Sequence, residues 1–209
     1  MRVSWYFDFI SPFAYLQLRK VLALREHVPV TPVPILFAAV LDNIGQVGPA
    51  EIPAKRTFMY RHIVWTARRD GTPLAFPPRH PFNPLAALRL AVACSNRWDA
   101  ITAIYDHLWR DGKAGDTLES LAGLAETLGI DDIATATAEP AVKHALRTNT
   151  EQALADGLFG VPTIRIGDAM FWGNDATDMA LAYLDDPGMF DAEAYRRVDA
   201  VPIGVERKR

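Results

Sequence analysis

The stretch YFDFISPFAYL, residues 6 to 16, decides the fold. It is apolar and aromatic around Asp8, breaks at Ser11-Pro12, and continues into the strongly apolar segment FAYLQLRKVLALRE. Proline suits the first helical position, which leaves the residue before it as N-cap, and serine is among the preferred caps. The stretch therefore reads as a strand that turns at Ser11 directly into a helix. Two roles are open to Ser11: closing a helix end, or performing chemistry there.

Outward from this corner, residues 2 to 8 (RVSWYFD) and 28 to 36 (VPVTPVPIL) are short apolar or β-branched runs on either side of the helix. That is a βαβ opening with parallel neighbouring strands. The helix between them is apolar on more than one face and should be largely buried. From about residue 51 to 156 the pattern turns helical. Ile101, Ile104, Tyr105 and Leu108 recur at i, i+3, i+4 and i+7. Asp116 with Glu119 three residues on resembles a capping box, Gly129 suits a helix stop, and Pro140 and Gly157 suit the start and end of another helix. Beyond it, VPTIRIG and AMFWG are short runs joined by Gly167-Asp168, a hairpin signal. The amphipathic NDATDMALAYL then opens with Asn174 or Asp175 as candidate caps.

The fold expected is α/β: a β-α-β and β-β-α domain of residues 1–50 and 157–209, interrupted by an all-helical insertion, 51–156. Segment 71–84, GTPLAFPPRHPFNP, has five prolines in fourteen residues. It is neither a regular helix nor a central strand. It is either a stiff connection or a functional loop.

The chain has 209 residues, half of them apolar, enough for one well-buried domain with a large insertion. A net charge of -3 with the 22 Lys and Arg scattered argues against nucleic acid. No run approaches the length of a membrane span and no signal-peptide core develops, so a cytoplasmic location is expected. One cysteine, Cys94, rules out an internal disulfide, and its apolar surroundings read as core. The five histidines do not fall at close ligand spacing, so no metal is expected. Phosphate-loop, dinucleotide and serine-hydrolase motifs are absent.

Three separated motifs in order, FDFISPFAYL, FGVPT (Phe159 to Thr163) and FWGND (Phe171 to Asp175), give the chain a resemblance. It resembles the thioredoxin superfamily and, more narrowly, the glutathione-dependent 2-hydroxychromene-2-carboxylate isomerases related to kappa-class glutathione transferases. The likeness runs over roughly residues 3 to 185. In the corner where redox members carry CxxC, this chain has Ser11-Pro12-Phe13-Ala14.

The resemblance implies glutathione as cofactor, a small aromatic carboxylate as substrate and a homodimer. Ser11 would donate a hydrogen bond to the glutathione sulfur, with Pro12 and Phe13 beside it. Val161, before a presumed cis Pro162, would pair its main chain with the cysteinyl part, and Trp172, Gly173, Asn174 and Asp175 would hold the γ-glutamyl end. Capping is the simpler role for Asn174 and Asp175, and core packing for Trp172. At Gln46 the family more often has Asn, though the amide group is kept. Lys55 matches a basic position that would meet a carboxylate, and Asn83 a substrate-side position, or a turn residue. A kappa-like transferase or peroxidase acting on another electrophile is the alternative activity.

Overall fold

The computed structural model describes residues 1–205; the last four residues of the expected discontinuous domain lie outside them. Strand β1 (Val3–Phe7), helix α1 (Pro12–Leu24) and strand β2 (Val30–Pro34) open the fold, and α2 (Phe37–Ile44) follows. The inserted helices are α3 (Pro53–Arg69), α4 (Leu85–Ala93), α5 (Trp98–Tyr105), α6 (Leu118–Thr127), α7 (Ile133–Ala138) and α8 (Pro140–Ala155). The chain returns through β3 (Thr163–Ile166), β4 (Ala169–Trp172) and α9 (Thr177–Asp185), and ends in a short α10 (Glu193–Asp199).

The four strands lie in the order β2-β1-β3-β4. β1 runs parallel to β2, pairing Val3 with Val30 through Phe7 with Pro34, and antiparallel to β3, pairing Val3 with Ile166. Residues 167 and 168 close the β3-β4 hairpin. Pro32 and Pro34 are tolerated because β2 is an edge strand.

The expected elements stand, with local differences. Helix α2 went unpredicted; it occupies the LFAAVLDNI segment between β2 and the insertion. The capping box of α6 is one residue later than expected. Thr117 Oγ1 accepts from Ser120 N–H and Ser120 Oγ from Thr117 N–H, and Thr117 holds the extended backbone of the cap. Neither Asn174 nor Asp175 caps α9, which starts at Thr177 after Ala176; instead Thr177 Oγ1 donates to the Asn174 carbonyl at 2.8 Å. The insertion is also not continuous helix: residues 70–84 and 111–117 separate its helices, and α5 runs into a π turn at Asp106–Arg110.

One apolar cluster takes in Trp5, Phe7 and Phe9 from the sheet side and Ile63, Leu88, Tyr105 and Trp109 from the insertion. Its centre is aromatic: Trp5 stacks on Phe7 at 4.4 Å, and Phe9 meets Tyr105 at 4.7 Å. Helix α1 is buried on several faces, including the wholly buried Gln17. That amide is fully used. Trp5 Nε1 donates to Gln17 Oε1 at 2.8 Å, and Gln17 Nε2 donates to the Gly173 carbonyl at 2.9 Å and to Thr177 Oγ1 at 3.0 Å. One side chain thus ties β1 and α1 to the turn after β4.

Gln17→Leu keeps nearly the same volume but strands the Trp5 indole N–H and the Gly173 carbonyl. The unfolding free energy should fall by about 2 to 4 kcal/mol in a urea titration followed by tryptophan fluorescence. A loss below about 0.5 kcal/mol would show that those groups find other partners.

Candidate active site

Strand β1 ends at Phe7 and α1 begins at Pro12, so residues 8 to 11 belong to neither ladder nor helix. Ser11 holds φ -88° and ψ 109°, the extended backbone of an N-cap, and its Oγ accepts from Ala14 N–H at 3.3 Å. That bond takes one lone pair and leaves the hydroxyl proton to donate elsewhere. Ser11 is 7% exposed, so what it donates to must come close to the helix end. Behind it, Asp8 is fully buried; Oδ1 accepts from Ile10 N–H at 3.1 Å and Oδ2 from Phe37 N–H at 2.9 Å. Burial pushes the Asp8 pKa from 3.8 up to about 7, against the pull of the main-chain N–H groups of Phe37, Ile10 and Phe9.

A cavity of about 460 Å³ lies along this end of α1, within the range of small-molecule sites. One wall is Phe13 and Lys20 of α1, and a second is His62, Thr66 and Arg69 of α3. The third runs from Val161 and Pro162 across to Trp172, Gly173, Asn174 and Asp175, with Asp178 beyond. The Val161-Pro162 peptide bond is cis, as the resemblance implied. Gly173 N–H donates to the Pro162 carbonyl at 2.8 Å. Among the described residues the Val161 main chain enters no main-chain hydrogen bond.

Two glycines make room for this wall. Gly173 adopts φ +99°, a left-handed conformation, and a Cβ there would meet the Asp175 carboxylate. A Cβ on Gly160 would strike the Trp172 indole. Trp172 is 55% exposed and packs edge-on against Phe159 at 5.4 Å, so it is not a core aromatic. Asn174 is buried, and its Oδ1 has no partner among the described residues.

Residues 2–185 match the DSBA-like thioredoxin domain. The chain belongs to that family. Within it, the 2-hydroxychromene-2-carboxylate isomerase of Sphingobium xenophagum is 31% identical over 192 residues, 88% of this chain and 98% of the relative. This identity places the chain on the enzyme branch that holds those isomerases. Glutathione S-transferase kappa 2 of Caenorhabditis elegans is 25% identical over 207 residues, 88% of this chain and 92% of that one. A solved 2-hydroxychromene-2-carboxylate isomerase superposes with a TM-score of 0.77 at 26% identity, covering 97% of this chain and all of the other.

Of the residues that the isomerase resemblance marked for glutathione, Phe13, Val161, Pro162, Trp172, Gly173, Asn174 and Asp175 come together on the cavity. Ser11 and Pro12 do not line it, although Phe13, next in the chain, does. Gln46, Lys55 and Asn83 are exposed and stand outside the lining. Gln46 follows the left-handed end of α2, Lys55 sits in the first turn of α3, and Asn83 Oδ1 accepts from Leu85 N–H at 3.0 Å ahead of α4. Cys94 is buried at the end of α4, where burial pushes its thiol pKa up, in keeping with a core role.

Sequence reasoning did not find Lys20, His62, Thr66, Arg69 or Asp178. A partial signal existed: His62, Thr66 and Arg69 recur at i, i+4 and i+7, and Phe13 and Lys20 lie two turns apart, so each set shares a helix face. Nothing in the spacing says which faces meet. Lys20 Nζ donates to the Asn174 carbonyl at 3.3 Å, so α1 is stitched to the WGND turn from this side too. With Lys20 and Arg69 opposite Asp175 and Asp178, the cavity presents both signs of charge and suits a zwitterion.

Asp8 binds its proton more tightly folded than unfolded. Its contribution to stability is therefore fully present below pH about 4 and is lost as pH rises through about 7. The slope from this one group reaches at most about 1.4 kcal/mol per pH unit. Asp8→Asn should flatten the decline between pH 4 and 7 in denaturant titrations, even though the amide costs one acceptor. Parallel curves for the two proteins would show that Asp8 stays ionised in the fold.

Proposed function

We propose that the chain is a glutathione-dependent isomerase interconverting 2-hydroxychromene-2-carboxylate and trans-o-hydroxybenzylidenepyruvate, as in naphthalene-type aromatic breakdown. The observation that carries this reading is Ser11, a cap whose oxygen is engaged by Ala14 and whose proton has no acceptor among the described residues, at the helix end from which Phe13 reaches the cavity. The fit for glutathione rests on three further features. Among the described residues the Asn174 Oδ1 is buried and without a partner, the turn at Gly173 has no room for a side chain, and the Val161 main chain is open to an added strand.

Bound glutathione supplies a thiolate nucleophile that frees the conjugated double bond of the substrate to rotate. Ser11 donates a hydrogen bond to that sulfur and keeps its proton. A charge-assisted hydrogen bond contributes about 1.5 to 3 kcal/mol, and a helix N-terminus about 0.3 to 1. Together they lower a thiol pKa by about one to three units, enough to ionise a thiol of about 8.5 substantially at neutral pH. Val161 pairs its main chain with the cysteinyl part, ahead of Pro162. Asp175 pairs with the ammonium, and the main-chain N–H groups of Asn174 and Asp175, together with Lys20, take the γ-glutamyl carboxylate. The thioredoxin-like part, residues 1–50 with 157–209, holds the cofactor, and the helical insertion covers the substrate. Phe13 lends an apolar surface on the substrate side. Gln46 and Lys55, exposed ahead of and within α3, are left to groups that project from the cavity. Thiol-disulfide exchange is disfavoured because the chain's one cysteine, Cys94, is buried at the end of α4 and the corner itself carries Ser11-Pro12-Phe13-Ala14.

A second reading, a kappa-like glutathione transferase, draws on the 25% identity to the nematode kappa protein. It uses the same cofactor contacts and differs in the acceptor, so conjugation of an electrophilic aryl halide would favour it.

Ultraviolet monitoring of the two isomers with and without glutathione tests the reading. Glutathione-dependent equilibration is expected, and Ser11→Ala should lower turnover by about tenfold to about a hundredfold, the equivalent of 1.5 to 3 kcal/mol. The lost cap costs about 1 kcal/mol of stability, so rates are compared well below the unfolding temperature. Equal turnover for the variant, or equal rates without glutathione, would overturn it.

A further inference from the structure

Three consecutive carbonyls of the turn between β1 and α1 are each met by a side-chain donor from the inserted helical part. Tyr105 Oη donates to the Asp8 carbonyl at 3.1 Å, Trp109 Nε1 to the Phe9 carbonyl at 2.8 Å, and His80 Nε2 to the Ile10 carbonyl at 2.9 Å. We infer that these three donors fix where Ser11 stands, and that His80, whose bond lies on the residue next to Ser11, is a positioning residue of the active site. The consequence for thiolate chemistry rests on the role of Ser11 proposed above.

The direction of each bond is set by chemistry. The Trp109 indole nitrogen only donates, and burial holds Tyr105 as a neutral phenol by raising its pKa well above 10. The Ile10 carbonyl only accepts, so His80 carries its proton on Nε2. His80 Nδ1 then accepts, and Tyr60 Oη stands 2.7 Å from it and 2.8 Å from the His80 carbonyl. Burial lowers the His80 pKa, which favours this neutral form. The ring is wedged edge-on against Trp109 at 5.3 Å and Phe82 at 6.2 Å.

The inference also accounts for the proline-rich segment. Residues 71–84 are sewn to the same corner: Tyr15 Oη donates to the Pro73 carbonyl at 2.6 Å, and Ala75 N–H to the Trp109 carbonyl at 2.7 Å. Each proline removes an N–H that a partly buried loop would otherwise have to satisfy. The loop delivers His80 to Ile10 with few polar groups left over.

The test compares His80→Ala with His80→Gln, whose amide N–H can stand in for Nε2–H. In the glutathione-free protein, hydrogen exchange at the Ser11 and Ala14 amides should quicken by about tenfold or more in His80→Ala and return toward the wild-type rate in His80→Gln. With glutathione, kcat for isomerisation should fall about tenfold in the alanine variant, while KM for glutathione stays within about twofold, and glutamine should restore kcat. Should the alanine variant not fold, His80→Leu against His80→Gln makes the same comparison at similar size. Unchanged exchange and kcat in a variant that has only lost thermal stability would overturn the inference, as would a glutamine variant as impaired as alanine. If wild type shows no glutathione-dependent turnover, the proposed activity falls, and the exchange result still decides whether His80 holds the corner.

Discussion

A buried turn must find partners for its own backbone, and residues 8 to 11 are such a turn. The strand has ended and the helix reaches back only to Ser11, whose carbonyl accepts from Tyr15 N–H, so residues 8 to 10 get no ladder or helix bond, and an unpaired polar group in the interior costs about 1 to 3 kcal/mol. The fold meets this from both sides. Within the turn, the Asp8 carboxyl takes Ile10 N–H and Phe37 N–H, and the Asp8 carbonyl takes Ser11 N–H at 3.0 Å. From outside come Tyr105, Trp109 and His80. All three belong to the inserted part: Tyr105 ends α5, Trp109 is in the π turn after it, and His80 is in the loop before α4. The insertion therefore completes the corner as well as standing over it.

Gln17 solves the matching problem on the other side of α1. It joins the Trp5 indole to the Gly173 carbonyl and Thr177, and Lys20, nearly one turn on, reaches the Asn174 carbonyl. Chain segments more than 150 residues apart in sequence thus share one helix as a common reference. Ser11 caps the first turn of that helix, Phe13 and Lys20 face the cavity, and Gln17 holds the opposite wall's turn in place.

The strand-to-helix corner, the parallel β1-β2 pair, the 167–168 hairpin and the helical character of 51–156 were legible because each rests on local pattern: proline after serine, period-2 or 3.6 runs, Gly-Asp between short strands. The WGND wall was legible through its motif. What the sequence did not disclose is long-range. The partners of Gln17 lie 12, 156 and 160 residues away, and the His80 bond to Ile10 spans 70. No period or propensity encodes such pairings. The shift of the α6 cap from Asp116 to Thr117 has a smaller cause: adjacent residues with similar capping ability compete, and backbone conformation decides between them. Lys20, Arg69 and His62 escaped because a charged face on a helix is ordinarily solvated, and only the packing of α1 against α3 turns these faces toward one cavity.

The end of α1 also shows why capping and chemistry need not compete at Ser11. A helix N-terminus favours negative charge. Asp8 lies three residues before Ser11, with its carboxyl bonded to Ile10 and Phe37 N–H, and if ionised it would oppose a second anion at the helix end. Burial weakens that opposition by raising the Asp8 pKa to about 7, so that below neutrality most of it is uncharged. Ser11 in front is neutral at any ordinary pH and spends only its oxygen lone pair on the cap. The favourable potential and one unspent hydroxyl proton are thereby left for a charge that arrives with the ligand. A carboxylate at position 11 would cap the helix as well but would neutralise the end itself, and alanine would leave neither cap nor donor. Serine is the small residue that closes the helix and still has a hydrogen bond to give.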